Sequence, residues 1–382
     1  MEHSPFPVRT ATGAGPADLP DDGPGTAVIA GPGASPLLGV VLVTFNSAEI
    51  ILDCLESLLA SGGVRLRIQV VDNASTDGTA DLLRAWARGD SAARAPLGDL
   101  PFALEPSAKP LPLLTDLGAA GADGHAVALL ETGENLGFAG GVNRGLAELA
   151  RREGIERFWI LNPDTVVPPD TARAFATHPV PEGGFALMGG RVLYLDRPDM
   201  IQIDGGTINR WTGITGNLNV LHSHAVTPPP TLDRLDFITG ASMVASREFY
   251  RRVGPMREDY FLYYEEVDWA LRRGELPLVH CPEAVAFHRA GTAIGSPKPD
   301  RPASPFSLYF KHRARMMFLR RFRPFSLPIG WFWSLLKAAQ LGAKGFRPEA
   351  GALLAGSFGR PPPGDVRQRL SPAALSRIRA GG

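Results

Sequence analysis

Short apolar strands that end in polar residues constrain the fold of this chain more than any other feature. The runs 40–43 (VVLV) and 68–71 (IQVV) are rich in β-branched residues, which is typical of strands buried on both faces of a parallel sheet. A segment with apolar residues at helical spacing follows each run and extends to Leu59 and Trp86, respectively. Strand, helix, strand, helix in about fifty residues predicts an α/β unit with right-handed crossovers.

The same rhythm returns after an interruption and defines the expected domains. Residues 89–127 are rich in Ala, Gly, Pro and Asp, and loops of this length are unusual in a compact domain unless they are insertions. We therefore expect a core domain with a surface insertion, between Gly- and Pro-rich ends. The expected divisions are a disordered leader over 1–37, a core domain over 38–295 with the insertion at 89–127, a helical region over 296–360 and a flexible tail over 361–382.

Composition excludes several classes of protein. Lys plus Arg and Asp plus Glu each number 39, so the formal net charge is zero, which argues against binding of nucleic acid through overall positive charge. The two cysteines, Cys54 and Cys281, are too few for a disulfide scaffold or a Cys-based zinc site. The leader has no basic start before an apolar run, so it does not read as a secretory signal.

The helical region carries a basic and aromatic segment that suggests contact with a membrane. Residues 306–325 mix aromatic side chains with lysines and arginines, and 329–336 is an apolar run with Trp331 and Trp333. The run is well short of the ~20 residues that a membrane span needs. It fits a helix lying in the membrane interface, or a helical subdomain that packs on the core. We expect a cytoplasmic protein, peripheral on the cytoplasmic face of the inner membrane.

Polar residues at the strand ends are the first candidates for a ligand site. They are Thr44 and Asn46, Asp72 and Asn73, Asn135, and the N-P-D sequence from Asn162 to Asp164. Each alone could be a turn or a helix cap. Because ligands of open α/β sheets bind at the carboxyl ends of the strands, four such segments in register predict a site along one edge of the sheet.

The glycine-rich loop 135–143 predicts an anion site at the start of a helix. Its glycines do not fit G-x-G-x-x-G, and neither G-x-x-x-x-G-K-[ST] nor G-x-S-x-G occurs. A dinucleotide-binding dehydrogenase, a P-loop enzyme and a hydrolase with a nucleophile elbow are therefore disfavoured.

Two further positions suggest metal and acid–base chemistry. Asp164 and His288 each close a predicted strand, and oxygen ligands such as Asp164 suit Mg²⁺ or Mn²⁺; His288 is a second possible ligand or a structural histidine. Adjacent carboxylates in the run 263–269 (YYEEVDW) lie beside aromatic residues. Such surroundings raise a carboxyl pKa and suit a general base, although an acidic helix start is the simpler alternative.

In this order the pieces resemble the inverting glycosyltransferases of family 2, of the GT-A fold, and within them the rhamnosyltransferase-like members. The resemblance covers roughly residues 38–292 and rests on an ordered set of segments. These are VTFN at 43–46, VDNASTDG at 71–78, ENLGFAGGVN at 134–143, LNPDT at 161–165, TGA at 239–241, YEEVD at 264–268 and His288.

The resemblance implies a GT-A, Rossmann-like α/β fold with a mixed, mainly parallel sheet flanked by helices, followed by a C-terminal helical, membrane-proximal segment. It implies a nucleotide-sugar donor, with dTDP-L-rhamnose first and UDP-sugars next, and a saccharide or lipid-linked acceptor. It also implies a divalent metal, Mn²⁺ or Mg²⁺, and a base in single-displacement chemistry. In this sequence the family's D-x-D element reads N-P-D, so one carboxylate is missing, and its E-D element has Glu266 in the place of the base.

Carried over by position, the resemblance assigns roles to individual residues. Those assigned to the donor are Thr44, Asn46, Asp72, Asn73, Asn135, Gly137, Phe138, Gly141, Asn143 and Asp164. Those assigned to the acceptor are Gly240, Ala241, Glu265 and Trp269. Asp164 and His288 are the implied metal ligands, and Glu266 is the implied catalytic base.

Two alternatives stay open at this point. A sugar-nucleotidylyltransferase would carry a Gly-rich, Arg-containing loop after the first strand, where this chain has VTFN at 43–46. A non-catalytic glycan- or membrane-binding relative remains possible because Asn162 and Glu266 depart from the family's pattern.

Overall fold

A ten-stranded sheet forms the centre of the computed structural model, which describes residues 35–380 except 94, 96, 97, 99 and 290–301. The strands are β1 (Leu37–Thr44), β2 (Arg65–Asp72), β3 (Leu113–Leu114), β4 (Ala126–Glu131), β5 (Arg157–Leu161), β6 (Thr165–Val166), β7 (Leu187–Tyr194), β8 (Arg197–Ile203), β9 (Gly206–Ile208), β10 (Thr215–Asn217), β11 (Ser242–Ser246) and β12 (Val279–His288). The sheet order is β3-β4-β2-β1-β5-β11-β7-β12-β6, with β8 paired to β7, while β9 and β10 form a separate hairpin. The expected leader lies outside the described residues up to residue 34, as does the expected boundary at 295–296.

Helices cover both faces of this sheet, which confirms the predicted α/β architecture. They are α1 (Ile51–Leu59), α2 (Thr79–Arg88), α3 (Gly137–Ala150), α4 (Thr171–Thr177), α5 (Arg247–Val253), α6 (Glu265–Leu271), α7 (Pro305–Phe322), α8 (Leu327–Ala343), α9 (Arg347–Ser357), α10 (Gly364–Arg367) and α11 (Pro372–Ala380). Val40 and Leu42 pack with α1, α2 and α4, whereas Val41 packs with α3 and α7 in a second core. Burial on both faces explains why the run 40–43 is apolar without alternation.

Glycines let α3 lie unusually close to β1. A Cβ atom on Gly141 would lie 2.5 Å from Cγ1 of Val43, and one on Gly145 would lie 2.5 Å from Cγ1 of Val41. Both distances are far below van der Waals contact, so any side chain there would push the helix off the sheet. The glycines of 137–145 therefore serve packing between helix and sheet as well as the loop.

The C-terminal helices are joined to the core. Ala314, Met316 and Phe318 of α7 are buried in the same core as α3, and the Arg315 guanidinium donates to the carbonyls of Thr212 and Gly330. For α7, the structure thus agrees with the alternative that this region is helical and packs on the core. Among the described helices, none is both long and apolar enough to cross a bilayer.

The outer side of α8 and the turn before it are apolar and exposed. Phe325 is 95% exposed, Phe332 64% and Leu336 55%, and Ile329 and Leu335 lie beside them. The two tryptophans expected at a membrane face inward instead. Trp331 donates to the Ser357 carbonyl and stacks on Phe358, and Trp333 lies against His312 and Arg315.

The prediction of a flexible tail from residue 361 is wrong for the described part of that segment. Residues of α10 and α11, namely Val366, Ala374 and Ile378, are buried against Tyr309 and Phe310 of α7. Their apolar side chains are few and widely spaced in sequence, so the local pattern does not show that a distant helix covers them.

The 89–127 segment is fixed at two points. The buried Glu56 carboxylate of α1 accepts hydrogen bonds from the Ser107 amide (2.7 Å), the Lys109 ammonium (2.8 Å) and the Trp86 indole (2.7 Å). Phe102 packs against Phe287 near the end of β12. This segment also contributes the edge strand β3 to the sheet. The prediction of a surface insertion did not include a strand here.

We predict that Gly141→Ala destabilises the protein by ~1–3 kcal/mol, because overpacking forces backbone shifts of that cost. Gly351 is the matched control, since it also lies in a helix and a Cβ atom there would meet open space. Gly351→Ala should be neutral or stabilising by up to about 1 kcal/mol. Urea unfolding measures both variants, and equal effects would contradict the close approach of α3 to β1.

Candidate active site

Polar strand ends meet along one edge of the sheet, as the sequence predicts. Thr44 pairs in register with Asp72, and Asp72 with Glu131. On the other side of β1, Leu42 pairs with Leu161, which brings Asn162 to the same edge. Parallel strands are what bring these residues together, because their carboxyl ends coincide.

Three buried polar atoms at this edge have no hydrogen-bond partner among the described residues. They are Thr44 Oγ1, Asn73 Oδ1 and Thr165 Oγ1. Buried polar groups are nearly always paired in folded proteins. Unpaired atoms grouped at a strand edge therefore indicate a polar ligand that supplies their partners.

Two neighbouring loops brace each other at this edge. The Asn46 side-chain oxygen accepts from the backbone amide of Thr76 (2.8 Å), and the backbone amide of Asn46 donates to Ser75 Oγ (2.9 Å). The Asp72 carboxylate accepts from the amide and the hydroxyl of Ser75. Two of the predicted donor-binding side chains thus hold the loops in place, so their effect on a ligand is through positioning.

The start of α3 is held in a similar way. The Gly137 amide donates to the Asn135 side chain (2.9 Å), and the Phe138 amide donates to the Phe261 carbonyl (3.1 Å). The Asn73 side chain donates to the Gly137 carbonyl (2.9 Å). The first two amides of α3 are therefore occupied, and the anion site predicted here is restricted to the amides that follow.

Asn143, another predicted donor contact, is occupied within the protein. Its side-chain nitrogen donates to the Met256 carbonyl (2.9 Å) and to Glu258 Oε1 (3.0 Å), and its oxygen accepts from the Met256 amide (2.9 Å). These three bonds tie α3 to the segment that leads into α6. Asn143 therefore positions the site and makes its contacts within the protein.

Asp164 and His288, the two predicted metal ligands, lie side by side. Asp164 Oδ1 is 3.1 Å from His288 Nε2, and both side chains are largely buried. On the other side of the ring, His288 Nδ1 donates to Gln202 Oε1 (2.7 Å). The Nε2 atom of the same ring faces the Asp164 carboxylate, and the Asn162 side-chain nitrogen lies 3.4 Å from it, so both ends of the N-P-D segment meet the histidine ring.

The pair fits a divalent cation. Neighbouring ligands of an octahedral ion with bonds of about 2.0–2.1 Å lie about 3 Å apart, and these two atoms are 3.1 Å apart. Histidine ligands commonly donate their other ring N–H to a second residue that fixes their orientation. Gln202 has that position here, and the sequence analysis missed it because β8 carries no motif.

A series of direct contacts joins this pair to the other side of the site. The Ala241 carbonyl accepts from the Asn162 amide (3.0 Å). A Cβ atom on Gly240 would lie 3.3 Å from the Phe138 ring, and Phe138 is bonded to Phe261 as above. The predicted positions Gly240 and Ala241 therefore lie between the N-P-D segment and the start of α3.

Strained backbone precedes the acidic residues of α6. Phe261, Tyr263 and Tyr264 all have φ near +68° (67°, 68° and 68°), a region that costs residues with side chains about 1–3 kcal/mol each and is concentrated at functional sites. The Tyr264 hydroxyl donates to the Gly213 carbonyl (2.6 Å), and the Tyr263 hydroxyl bonds Ser307 of α7 (2.8 Å). These bonds hold the turn that presents Glu265 and Glu266.

Burial raises the pKa of both glutamates, as the sequence predicts. The pKa of Glu266 is raised to about 7 by burial, and the positive charge of Lys311 on α7 opposes that rise. Burial and the neighbouring Glu266 charge raise the pKa of Glu265 well above its usual range. Glu266 is half-buried, whereas Glu265 is fully buried and its Oε2 has no partner among the described residues.

Two other residues of the acidic run have structural roles. Asp268, the competing candidate for the base, is fully buried and accepts from the Tyr260 hydroxyl (3.0 Å) and the Arg272 guanidinium (2.7 Å). Trp269 was assigned to the acceptor by resemblance, and that assignment is wrong. Its ring is fully buried against Phe249, and its indole donates to the Gly254 carbonyl (2.9 Å).

Two comparisons with known sequences match part of the chain. Residues 39–94 match the family model described as Glycosyl transferase family 2. The chain is also similar to a low-salt glycan biosynthesis hexosyltransferase, Agl10, of Haloferax volcanii, with 24% identity over 164 residues. That match covers 42% of this chain, and the chain spans about half (50%) of the relative's length. These matches are likenesses to glycosyltransferases over part of the chain, and neither one supports the rhamnosyltransferase-like subdivision.

Solved structures show weaker likenesses. The mannosyltransferase PcManGT of Pyrobaculum calidifontis, in complex with GDP-Man and Mn²⁺, has a TM-score of 0.46 and 17% identity, over 92% of this chain and 80% of that one. Residues 1–349 of S. aureus TarS, in complex with UDP-GlcNAc, have a TM-score of 0.45 and 13% identity, over 91% and 90%. Both TM-scores lie below 0.5, and the α/β fold is established by the strand order given above.

We predict that Lys311→Met raises the pKa of Glu266 further above about 7, because it removes a positive charge that favours the carboxylate. Titration of the glutamate side-chain ¹³C resonances measures this, with Glu266→Gln identifying the signal. Lys337→Met is the control, since that lysine acts on His312 and should leave the titration of Glu266 unchanged. An unchanged titration of Glu266 in Lys311→Met would contradict the electrostatic interaction between Lys311 of α7 and Glu266.

Proposed function

We propose that this protein is an inverting glycosyltransferase that moves a sugar from a nucleotide-sugar donor to a hydroxyl of a cell-surface glycan or lipid-linked saccharide. The observation that carries the proposal is the half-buried Glu266, whose pKa of about 7 suits a general base. It follows a strained turn, and the Phe261 carbonyl of that turn accepts from the Phe138 amide at the start of α3, beside the polar strand edge. A base and a polar, phosphate-compatible edge in one site are what sugar transfer from a nucleotide requires.

The donor would lie along the strand edge. The unpaired oxygens of Thr44 and Asn73 offer hydrogen bonds to a nucleoside, and the start of α3 favours the negative charge of a diphosphate through its dipole. Asn46, Asp72 and Asn143 would act indirectly, because their bonds keep the loops in position. The donor expected from the resemblance is dTDP-L-rhamnose or a UDP-sugar.

Asp164 and His288 would hold the divalent metal, Mn²⁺ or Mg²⁺. When bound there, such an ion supplies positive charge that offsets the charge building on the departing nucleoside diphosphate. Gln202 keeps the His288 ring oriented for that role through the bond to Nδ1. Asn162, in the place of the family's first carboxylate, lowers the negative charge of the site.

Glu266 would take the proton of the acceptor hydroxyl. The freed oxygen then attacks the anomeric carbon from the face opposite the diphosphate, so the configuration inverts. Against the effect of burial, the backbone amides of Glu266 and Val267, and then the charge of Lys311, lower the pKa of Glu266. Glu265, beside it and fully buried, is suited to shape the acceptor pocket.

We also propose that the exposed side of α8 contacts a membrane. The exposed apolar surface of Phe325, Ile329, Phe332, Leu335 and Leu336, called here the α8 surface, is larger than single scattered residues produce. Exposed basic residues lie at its two ends, Arg320 in α7 and Lys344 after α8, and Lys and Arg favour anionic lipid. Trp211, which is 66% exposed, lies on the adjoining loop, since the Ser326 hydroxyl donates to the Arg210 carbonyl.

We predict that Glu266→Gln lowers turnover by ~10²–10⁴-fold, the usual range for loss of a general base, with donor affinity nearly unchanged. The wild-type rate should rise with pH through about 7, because the base must be deprotonated, and the variant should lose that dependence. Steady-state kinetics with isothermal titration of the donor measure both. The exposed Glu275 provides the control variant Glu275→Gln, and near-normal turnover in Glu266→Gln would exclude the assignment.

We predict that the full chain floats with anionic liposomes at low salt and that replacing Phe325, Phe332 and Leu336 by Ser abolishes flotation. The triple variant removes apolar area and keeps the basic residues. It therefore separates the contribution of apolar burial from that of electrostatic attraction to anionic lipid. Val226, which is 81% exposed outside the α8 surface, gives the control Val226→Ser. Equal flotation of the triple variant and the control would show that the α8 surface does not bind lipid.

A further inference from the structure

We propose that His178, Cys281 and Glu283 form a second divalent-cation site, of the zinc class, that joins α4 to β12 away from the Asp164–His288 pair. Cys281 and Glu283 lie two residues apart on β12, at the irregular stretch where its register to β7 shifts between His280 and Val285. His178 directly follows α4, which packs against β12. Two distant parts of the sequence, the end of α4 and the first half of β12, thus meet at one place.

The ligand atoms have the spacing of a tetrahedral site. Glu283 Oε2 is 3.5 Å from Cys281 Sγ and 3.5 Å from His178 Nδ1, and all three atoms lie within 4.8 Å of one another. Ligands of tetrahedral zinc, at about 2.0–2.3 Å from the metal, lie about 3.4–3.6 Å apart. The two distances from Glu283 Oε2 match this spacing, and the third lies within 4.8 Å.

Burial leaves the cluster closed on one side and open on the other. Cys281 is fully buried, His178 is largely buried, and the Glu283 side chain is 68% exposed. The Arg157 guanidinium donates to the carbonyls of Phe175 and His178, which fixes the end of α4. The open side of the cluster is therefore at Glu283, and the backbone of His178 is held by Arg157.

The donor set selects the metal. A thiolate, an imidazole and one carboxylate suit Zn²⁺, whereas Mg²⁺ and Ca²⁺ prefer oxygen ligands alone. The thiolate and the carboxylate together offset the two positive charges of the ion. Burial raises the pKa of the Cys281 thiol to about 12, so binding must break the S–H bond, form the metal–sulfur bond and release one proton to solvent.

The consequence would be structural. β12 ends at His288, the proposed ligand of the other metal site. A metal bound between α4 and β12 would therefore restrict the motion of the strand that carries His288. Zinc should then raise the melting temperature by mass action, because the ligand set exists only in the folded chain.

Cobalt titration of the full-length, metal-free protein tests the proposal. Thiolate-bound Co²⁺ gives a charge-transfer band that oxygen and nitrogen ligands do not give, so the Asp164–His288 pair cannot produce it. Wild type should show the band at one equivalent, Zn²⁺ should displace it, and Cys281→Ala should lose it. Cys54→Ala, which removes the other buried thiol, and Asp164→Ala should both retain it.

Glu283→Gln is the second variant, since Glu283 is exposed and its replacement should leave the fold intact. Its affinity for Zn²⁺ should fall at least ~10-fold, because even changes outside the ligand set cost 10–100-fold. Zinc should also raise the melting temperature of wild type and Cys54→Ala but not that of Cys281→Ala. Absence of the thiolate band in wild type, its persistence in Cys281→Ala, or unchanged affinity in Glu283→Gln would overturn the proposal.

Discussion

The strained turn over residues 261–264 is the constraint on which the rest of the site depends. Its Phe261 carbonyl accepts from the first turn of α3, and its tyrosines are bonded to Gly213 and to Ser307 of α7. Phe261 also stacks on Phe310 of α7, with ring centroids 5.2 Å apart. Three residues with positive φ would relax without these contacts. The position of Glu266 relative to the strand edge therefore depends on α3 and on α7, which are far apart in the sequence.

Much of the fold could be read from the sequence because it follows local rules. Runs such as 40–43 are apolar without alternation, and burial on both faces of a parallel sheet is the physical reason. The strand-end segments could be placed on one edge because parallel strands share a direction. The same rule brought Asp164 and His288 together, since β5 and β12 end at the same edge.

Residues that depend on distant partners could not be predicted in this way. Trp269 looks like a ligand contact in the sequence, but its position is decided by a core formed with Phe249. Gln202 lies in a strand without a motif, and its role appears only when β8 is placed beside His288. Arg377, in the segment expected to be a flexible tail, pairs with Glu134 (2.7 Å) beside the glycine-rich loop. The spacing of apolar residues, with a period of 2 in strands and 3.6 in helices, gives no information on contacts between distant residues.

In the proposed function the strand edge binds a nucleotide sugar, and Asp164 and His288 hold a metal. Isothermal titration of dTDP, UDP and their sugars, with and without Mn²⁺, tests this in wild type, Asp164→Ala and Gln202→Leu. We expect metal-dependent binding in wild type and loss of the metal dependence in Asp164→Ala. Metal affinity should weaken ~10–100-fold in Gln202→Leu, as expected when a histidine ligand loses its second partner. Binding of the donor by Asp164→Ala with the same metal dependence as wild type would contradict this proposal.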